Sequence, residues 1–446
     1  MDGNLLPILM GLFLFIGIFS GYPVAFVLGG LGVVFLFIGD LPIFNLQLAV
    51  SRIIGIMSNW LLLAIPLFVF MGLMLDRSGI AANLLYSLER LLGNVRGGLA
   101  VAVAFLGIVL AASTGIVGAS VVMLGVLALP VMLRERYAPQ LATGVVAASG
   151  TLGILIPPSI MLVVLGSMLQ VSVGDLFKAA FVPGLLLGGL YVAYVFILAR
   201  IKPSWAPAVE RANRSEGWRA VWEVLRDLAG PVALIVMVLG SIIAGIATPT
   251  EAAALGAFGA MVLAFLSGKL TWPALKSVIY ETGSVTAMIL FVLIGATVFS
   301  GVFKALGGND MIADAVSGTG LGPYGIMVMF MVVLFILGCF LEWIEITFVV
   351  LPLFTPIVMA LDFGLGFTPT EQLVWFAIAV AVNLQTSFMT PPFGFSLFYV
   401  KGVSPPDIQI GTIYKGALPF VALQLIGLSS VLIFPALTIG VVRFFG

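Results

Sequence analysis

Apolar residues run along this chain in long blocks, near residues 5–20, 22–38, 59–75, 98–132, 141–170, 176–199, 228–247, 251–267, 283–303, 322–361, 372–400 and 411–441. A helix of about 20 such residues crosses a hydrocarbon core of roughly 30 Å. The pattern therefore predicts an all-α, polytopic chain solvated mostly by lipid. Between the blocks lie shorter amphipathic pieces. Asn83–Asn94 carries Leu84, Leu85, Leu88, Leu91 and Leu92 at helical spacing with Glu89 and Arg90 opposite, as in a helix lying along the interface. Trp272–Glu281 reads the same way. The first block, from Leu5 to about Phe19, has no basic residue ahead of it and reads as a transmembrane or interfacial helix rather than a secretory signal. One stretch is strongly polar. Arg200–Asp227 interleaves Arg200, Lys202, Arg211, Arg214, Arg219 and Arg226 with Glu210, Glu216, Glu223 and Asp227. By the positive-inside rule it is a cytoplasmic linker, and its mixed charge suits a solvated helix with no binding role.

Two blocks are too long for one crossing. Gly97–Leu133 carries no charge, and its middle, Ala112 to Ser120, is rich in small and hydroxylic residues that permit a tight reversal. Gly322–Leu361 is of similar length, but its middle holds Glu342 and Glu345. A carboxylate at the centre of a crossing helix costs about 2.5–3.5 kcal/mol, so the chain turns there or the acids face a polar cavity. Each long block precedes a proline pair. Ser149-Gly150-Thr151-Leu152-Gly153-Ile154-Leu155-Ile156-Pro157-Pro158-Ser159 is answered by Asn383-Leu384-Gln385-Thr386-Ser387-Phe388-Met389-Thr390-Pro391-Pro392-Phe393. Each pair is followed by an acid (Asp175, Asp407), a lysine (Lys178, Lys415) and a proline (Pro183, Pro419) at similar intervals. Such duplication is a mark of secondary transporters, whose sites lie where repeats meet.

Composition agrees and narrows the chemistry. Of 446 residues 62% are hydrophobic and 9% charged, against roughly 25% charged in soluble domains; mean hydropathy is +1.25. Net charge is zero, so nothing attracts a nucleic acid. Cys339 is the single cysteine and histidine is absent, which removes disulfides, cysteine or histidine metal sites and imidazole-based triads. With no nucleophile–base constellation the chain is not expected to be an enzyme. No phosphate-binding loop is present; Gly268-Lys269 is followed by Leu270. An ion gradient is then the default energy source, and no organic cofactor is expected.

A Pro-Pro pair inside an apolar helix removes backbone donors and frees carbonyls on the preceding turn. In a membrane these groups must be buried in protein or bind something. Carbonyl and hydroxyl oxygens suit a bare sodium ion, and the amides opening the next half-helix suit a substrate carboxylate. Thr248-Pro249-Thr250-Glu251 has the spacing of a capping box and needs no transport role. Gly256 and Gly259 read as packing. Glu342 and Glu345 can anchor a hairpin tip at the aqueous boundary or take part in cation binding.

The strings Ala112 to Ser120, Gly150 to Ser159, Ala247-Thr248-Pro249-Thr250-Glu251-Ala252-Ala253 and Thr390 to Gly394 resemble, in order and over essentially the whole chain, the large membrane subunit of tripartite ATP-independent periplasmic (TRAP) transporters. The resemblance implies inverted repeats with two re-entrant hairpins and two broken helices, and a transport domain moving against a scaffold as an elevator. It implies sodium as coupling ion, held first by Ser113, Thr114, Gly118 and Ser120 with Ser149, Gly150 and Gly153. A second site would use Glu345 or Thr347 with Asn383, Thr386, Met389 and Thr390. Substrate, a small organic acid, would lie between Pro157-Pro158 and Pro391-Pro392, within reach of Ser120 and Thr151. It implies a bacterial inner-membrane location and two partners, a separate small membrane subunit of four helices and a periplasmic substrate-binding protein. The expected organisation is scaffold helices in 1–96, a first transport part in 97–200, the linker in 201–227, scaffold helices in 228–321 and a second transport part in 322–446. A stand-alone sodium-coupled di- or tricarboxylate transporter of the same superfamily is the alternative.

Overall fold

The computed structural model describes residues 4–114, 117–209 and 217–445, and among these all regular structure is helical. The first part of the chain forms α1 (Leu5–Phe19), α2 (Val24–Ile38), α3 (Phe44–Met57), α4 (Ala64–Arg77) and α5 (Ile80–Leu92). There follow α6 (Gly98–Thr114), α7 (Val117–Arg134), α8 (Pro139–Thr151), α9 (Ile160–Leu169) and α10 (Val173–Ile201). After the linker come α11 (Gly217–Ile243), α12 (Pro249–Leu266), α13 (Trp272–Ala305), α14 (Gly308–Ser317) and α15 (Pro323–Gly338). The chain ends with α16 (Trp343–Ala360), α17 (Pro369–Ser387), α18 (Phe395–Val403), α19 (Ile410–Ile433) and α20 (Ile439–Phe445). Among the described residues, eight helices are long and apolar enough to cross a membrane.

Several expectations change. Trp272–Glu281 is not a separate interfacial helix but the first turns of α13, which continues unbroken to Ala305. Thr271 caps it and Pro273 follows within the first turn, where a missing amide is harmless. The amphipathic piece at Asn83–Asn94 is helical, and its apolar face covers α6 rather than lipid alone. Helices α3 and α14 fall in stretches whose apolar pattern was too short or mixed to predict them. The linker is not free either: Arg90 pairs with Glu223 at 2.8 Å and Ser87 donates to Asp227, which fastens α11 to α5. Glu210, Arg211, Arg214 and Glu216 lie outside the described residues. The capping box at Thr248 and Glu251 forms, and an identical one, Thr368 with Glu371, opens α17.

The duplicated sequence becomes a swapped pair of repeats. In the first, the hairpin α6–α7 precedes the broken helix α8/α9; in the second, α15–α16 precedes α17/α18. Each hairpin packs its first arm on its own broken helix, α6 on α8 and α15 on α17. Each packs its second arm on the other repeat's second half-helix, α7 on α18 and α16 on α9. Neither repeat closes alone. The long helices that follow cross over in the same sense, α19 against α8 and α10 against α17.

The base of each hairpin is tied down by hydrogen bonds. Both ends of the first hairpin are tied to the linker, Gly97 N donating to Ala206 O and Ala138 N to Trp205 O, each at 3.0 Å. Arg96, Arg134, Arg136 and Lys202 flank those tied ends along the chain. Three long apolar helices, α11 to α13, and the short α14 then separate the first repeat from α15. In the second repeat Gln372 donates to Leu361 O and Arg443 pairs with Glu371, closing the base of the second hairpin.

Backbone contact between helices needs small residues. Gly144 of α8 lies against the Gly416 carbonyl of α19, Gly416 lies against the Gln140 carbonyl, and a methyl group at either would overlap those oxygens. Gly416→Leu should force the helices apart and lower stability by about 1–3 kcal/mol, read as a fall in thermal midpoint of the purified protein. Gly411→Leu, at a position with open space around it, should leave the midpoint unchanged; equal effects would refute this packing account.

Candidate functional site

Both broken helices solve the proline problem with the same device. In the first, α8 tightens into a 3-10 turn at Leu152–Ile154 before Pro157-Pro158, and α9 restarts at Ile160. Ser159 donates its hydroxyl to the Ile154 carbonyl at 2.6 Å. In the second, α17 ends at Ser387, Pro391-Pro392 follow, and Ser396 in the first turn of α18 donates to the Phe388 carbonyl at 2.7 Å. Both proline pairs have a cis peptide bond. A serine after each break thus occupies a carbonyl that the prolines cannot serve.

Other oxygens are left open. Ser149 and Asn383 each lie eight residues before the first proline of their pair, and both are buried. The Ser149 hydroxyl has no hydrogen-bond partner, and neither does the Oδ1 of Asn383, whose Nδ2 donates to Met331 O of α15 at 2.7 Å. Two buried acceptors at equivalent positions are an unusual expense in a membrane core, where unpaired polar groups are strongly disfavoured. No group of three His, Cys, Asp or Glu side chains is present among the described residues. A cation held at these breaks would draw mainly on carbonyl, hydroxyl and amide oxygens, with Glu345 the one acid among the residues expected there.

The residues expected around the first break converge. Gly150 packs against the Val121 backbone of α7, and Ser120, Ser149, Gly150 and Gly153 are all buried there. Gly118 is half-buried against the ring of Tyr399. Ser113 and Thr114 belong to the last turn of α6, but their side chains lie outside the described residues. Around the second break, Thr386 and Thr390 donate back to the carbonyls of Val382 and Thr386 at 2.9 Å each, and Thr347 donates to Trp343 O. Their hydroxyl oxygens keep lone pairs free. Glu345, immediately before the π-helical stretch Ile346–Val350 of α16, is only 8% exposed and its Oε2 is unpartnered.

The side chains of Met389 and Thr151 meet each other. Thr151 meets the Met389 sulfur at 3.8 Å in a buried polar cluster that the sequence reading missed. Gln424 of α19 donates to Tyr191 Oη at 2.7 Å and approaches Met389 at 3.3 Å; Gln385 of α17 lies 3.2 Å from the same tyrosine oxygen. The cluster takes residues from α8, α10, α17 and α19, and so joins the two repeats at their centre. The Oε1 atoms of Gln385 and Gln424 have no donor. The available signal was two glutamines inside otherwise apolar helices.

A cavity of about 190 Å³ lies between the two hairpin tips, where α13 faces the breaks. Gly118, Ile160, Glu342, Trp343, Phe388 and Tyr399 are among its walls. The prolines themselves do not line it. Pro157 and Pro158 are buried behind Ile160, Pro391 is half-buried and Pro392 is exposed.

Residues 10–437 match the family model described as tripartite ATP-independent periplasmic transporter, DctM component. The chain is 34% identical over 395 residues to the C4-dicarboxylate TRAP transporter large permease protein DctM of Pseudomonas aeruginosa, covering 87% of this chain and 88% of that protein. It is 30% identical over 424 residues to the sialic acid TRAP transporter large permease protein SiaM of Vibrio cholerae, covering 95% of each. Among solved structures it is similar to the YdaH transporter of Alcanivorax borkumensis, with a TM-score of 0.62 over 87% of this chain and 88% of that one at 18% identity, a likeness of fold alone. These relatives are transporter permeases and not enzymes. With its apolar crossing helices, this chain is a multi-pass inner-membrane protein that belongs to the DctM family of TRAP transporter large permeases.

Proposed function

We propose that the chain performs sodium-coupled uptake of small organic carboxylates as the moving subunit of a three-part system. The observation that carries this reading is the pair of unpartnered buried oxygens, Ser149 Oγ and Asn383 Oδ1, at equivalent positions beside two helix breaks. A sodium ion at each break would complete them with carbonyl and hydroxyl oxygens already nearby. The first site uses Ser113, Thr114, Gly118 and Ser120 of the α6–α7 hairpin with Ser149, Gly150 and Gly153. The second uses Asn383, Thr386 and Thr390 with Glu345 or Thr347, and Met389 contributes through its backbone. Loading both sites ties each hairpin tip to its broken helix, and the half-helix N-termini of α9 and α18 then present amides to a carboxylate.

The hairpins enter the bilayer partway from opposite faces, and the swapped repeats move together against a frame built on α2, α4, α12 and α13. Pro157-Pro158 and Pro391-Pro392, with Ser120 and Thr151, shape the site from behind while its walls come from their neighbours. A small membrane subunit of four helices braces the frame, and a periplasmic binding protein delivers the substrate, which can be a C4-dicarboxylate, a sialic acid or a keto acid. No cofactor beyond the sodium ion is involved. A stand-alone transporter needing no binding protein is the alternative, separable by whether uptake requires that protein.

Reconstituted with both partners, the protein should accumulate substrate when an inward sodium gradient is imposed and not when choline replaces sodium. Uptake independent of sodium would sink the coupling. Ser149→Ala should raise the sodium concentration for half-maximal uptake by about tenfold, close to 1.4 kcal/mol, and Thr390→Ala should do so at the second site. Unchanged sodium dependence in both variants would move the ions elsewhere while leaving the transport reading intact.

A further inference from the structure

A second space, of about 390 Å³, lies where the end of α1 and the start of α2 face the second hairpin turn and α18. Two chemistries meet in its walls. Glu342 and Glu345 are its charged members, and every other lining residue is apolar, Phe19, Phe340, Phe393 and Phe398 among them. Three of the rings form a row. Phe340 of the hairpin turn stands 5.6 Å from Phe19 of α1 and 5.4 Å from Phe393 after the second break, centre to centre. Phe19, Phe393 and Phe398 are exposed, so the space opens beside an uncovered apolar surface.

The two acids are not answered from within the protein. Neither has an ion-pair partner among the described residues, and no lysine or arginine lines the space. Glu345 is 8% exposed, and its Oε2 has no hydrogen-bond donor. A carboxylate oxygen buried in this way is costly, and a positively charged donor removes that cost. The complementary ligand therefore brings N–H donors and positive charge to the acids and an apolar body to the rings. A primary ammonium on a short hydrocarbon chain does both. Its three N–H donors can serve two carboxylates while the chain covers the phenylalanines. A phospholipid headgroup fits worse, because its phosphate would be carried toward the same two acids. An inorganic cation would leave the rings uncovered.

We infer that this space is a binding site for an amphiphilic primary ammonium ion, its head held by Glu342 and Glu345 and its chain lying on the row Phe19, Phe340 and Phe393. Such a ligand is not cargo. It bridges α1, the second hairpin turn and the segment after the second break, and so holds the hairpin against α1. Its effect on transport is inhibition. The binding itself does not depend on the sodium reading above.

The test is binding to the purified full-length chain in phosphatidylcholine nanodiscs, with sodium held constant because Glu345 is one of two residues proposed for the second ion. Octylammonium is the probe. Octanol, with the same chain and no charge, and octyltrimethylammonium, with the charge and no N–H donor, are the controls. Octylammonium should raise the thermal midpoint saturably and bind at least about tenfold more tightly than either control. Glu342→Gln, nearly isosteric, should weaken it by about tenfold, and Phe398→Ala, which removes an exposed ring, should weaken it less. Octanol binding as tightly as octylammonium, or no saturable response to octylammonium, would overturn the inference from the unmodified protein alone, so the result survives a variant that fails to fold. Affinity kept within about twofold in a folded Glu342→Gln protein would also overturn it. Uptake by the intact three-part system should fall over the concentration range in which octylammonium binds, and full uptake at saturation would overturn the inhibitory role. Uptake that needs no sodium, with binding as described, would refute the coupling mechanism and leave this site standing.

Discussion

A peptide group inside lipid has no water to bond, and this chain breaks two helices there. Each break exposes carbonyls and amides that must find partners within the protein. Every neighbouring element is arranged around that need. The hairpins bring their tips to the breaks, serines after the prolines return hydroxyls to the carbonyls upstream, and long helices wall the region from lipid. Where the protein leaves oxygens without partners, at Ser149 and Asn383, it does so at equivalent points in the two repeats. The same constraint that would destroy an isolated broken helix leaves oxygens open at both breaks.

The swap between repeats makes the arrangement cooperative. Because α7 lies on α18 and α16 on α9, displacement of one hairpin changes the packing of the other repeat's half-helix. Close backbone contacts such as Gly144 with Gly416 seat α19 of the second repeat directly on α8 of the first. The cluster of Thr151, Tyr191, Gln385, Met389 and Gln424 reinforces this from inside. Hydrogen bonds from both glutamine amides to Tyr191 tie α10, α17 and α19 together at this point.

Binding energy and selectivity then come from different layers. Unpartnered oxygens lie buried beside the breaks, while the cavity in front has aromatic walls and, among the described residues, the Glu342 carboxylate. That separation allows relatives with dissimilar named cargoes, C4-dicarboxylates and sialic acid, to share one scaffold. Cavity walls can change without disturbing the packing beneath.

Much of this was legible in the chain. Hydrophobic blocks marked the crossing helices, Pro157-Pro158 and Pro391-Pro392 marked the breaks, and charge-free or acid-centred long blocks marked the hairpins, because each feature is a local property of spacing and residue type. The Thr248 capping box was equally local, and its twin at Thr368 carried the same string. Contacts between distant segments were not legible. Nothing in the sequence says that α7 seats on α18, that Thr151 meets Met389, or that Trp272–Glu281 continues into α13 instead of lying on the interface. The glutamines at 385 and 424 were visible as polar residues in apolar helices, but their shared partner, Tyr191, lies in a third helix. Glu342 reads from the sequence as an anchor or a ligand, and the aromatic rings that surround it, Trp343, Phe388 and Tyr399, are brought together only by the fold. Local chemistry determined where the chain must break; only tertiary packing, which brings residues hundreds of positions apart within bonding distance, decided which groups stayed open at those breaks.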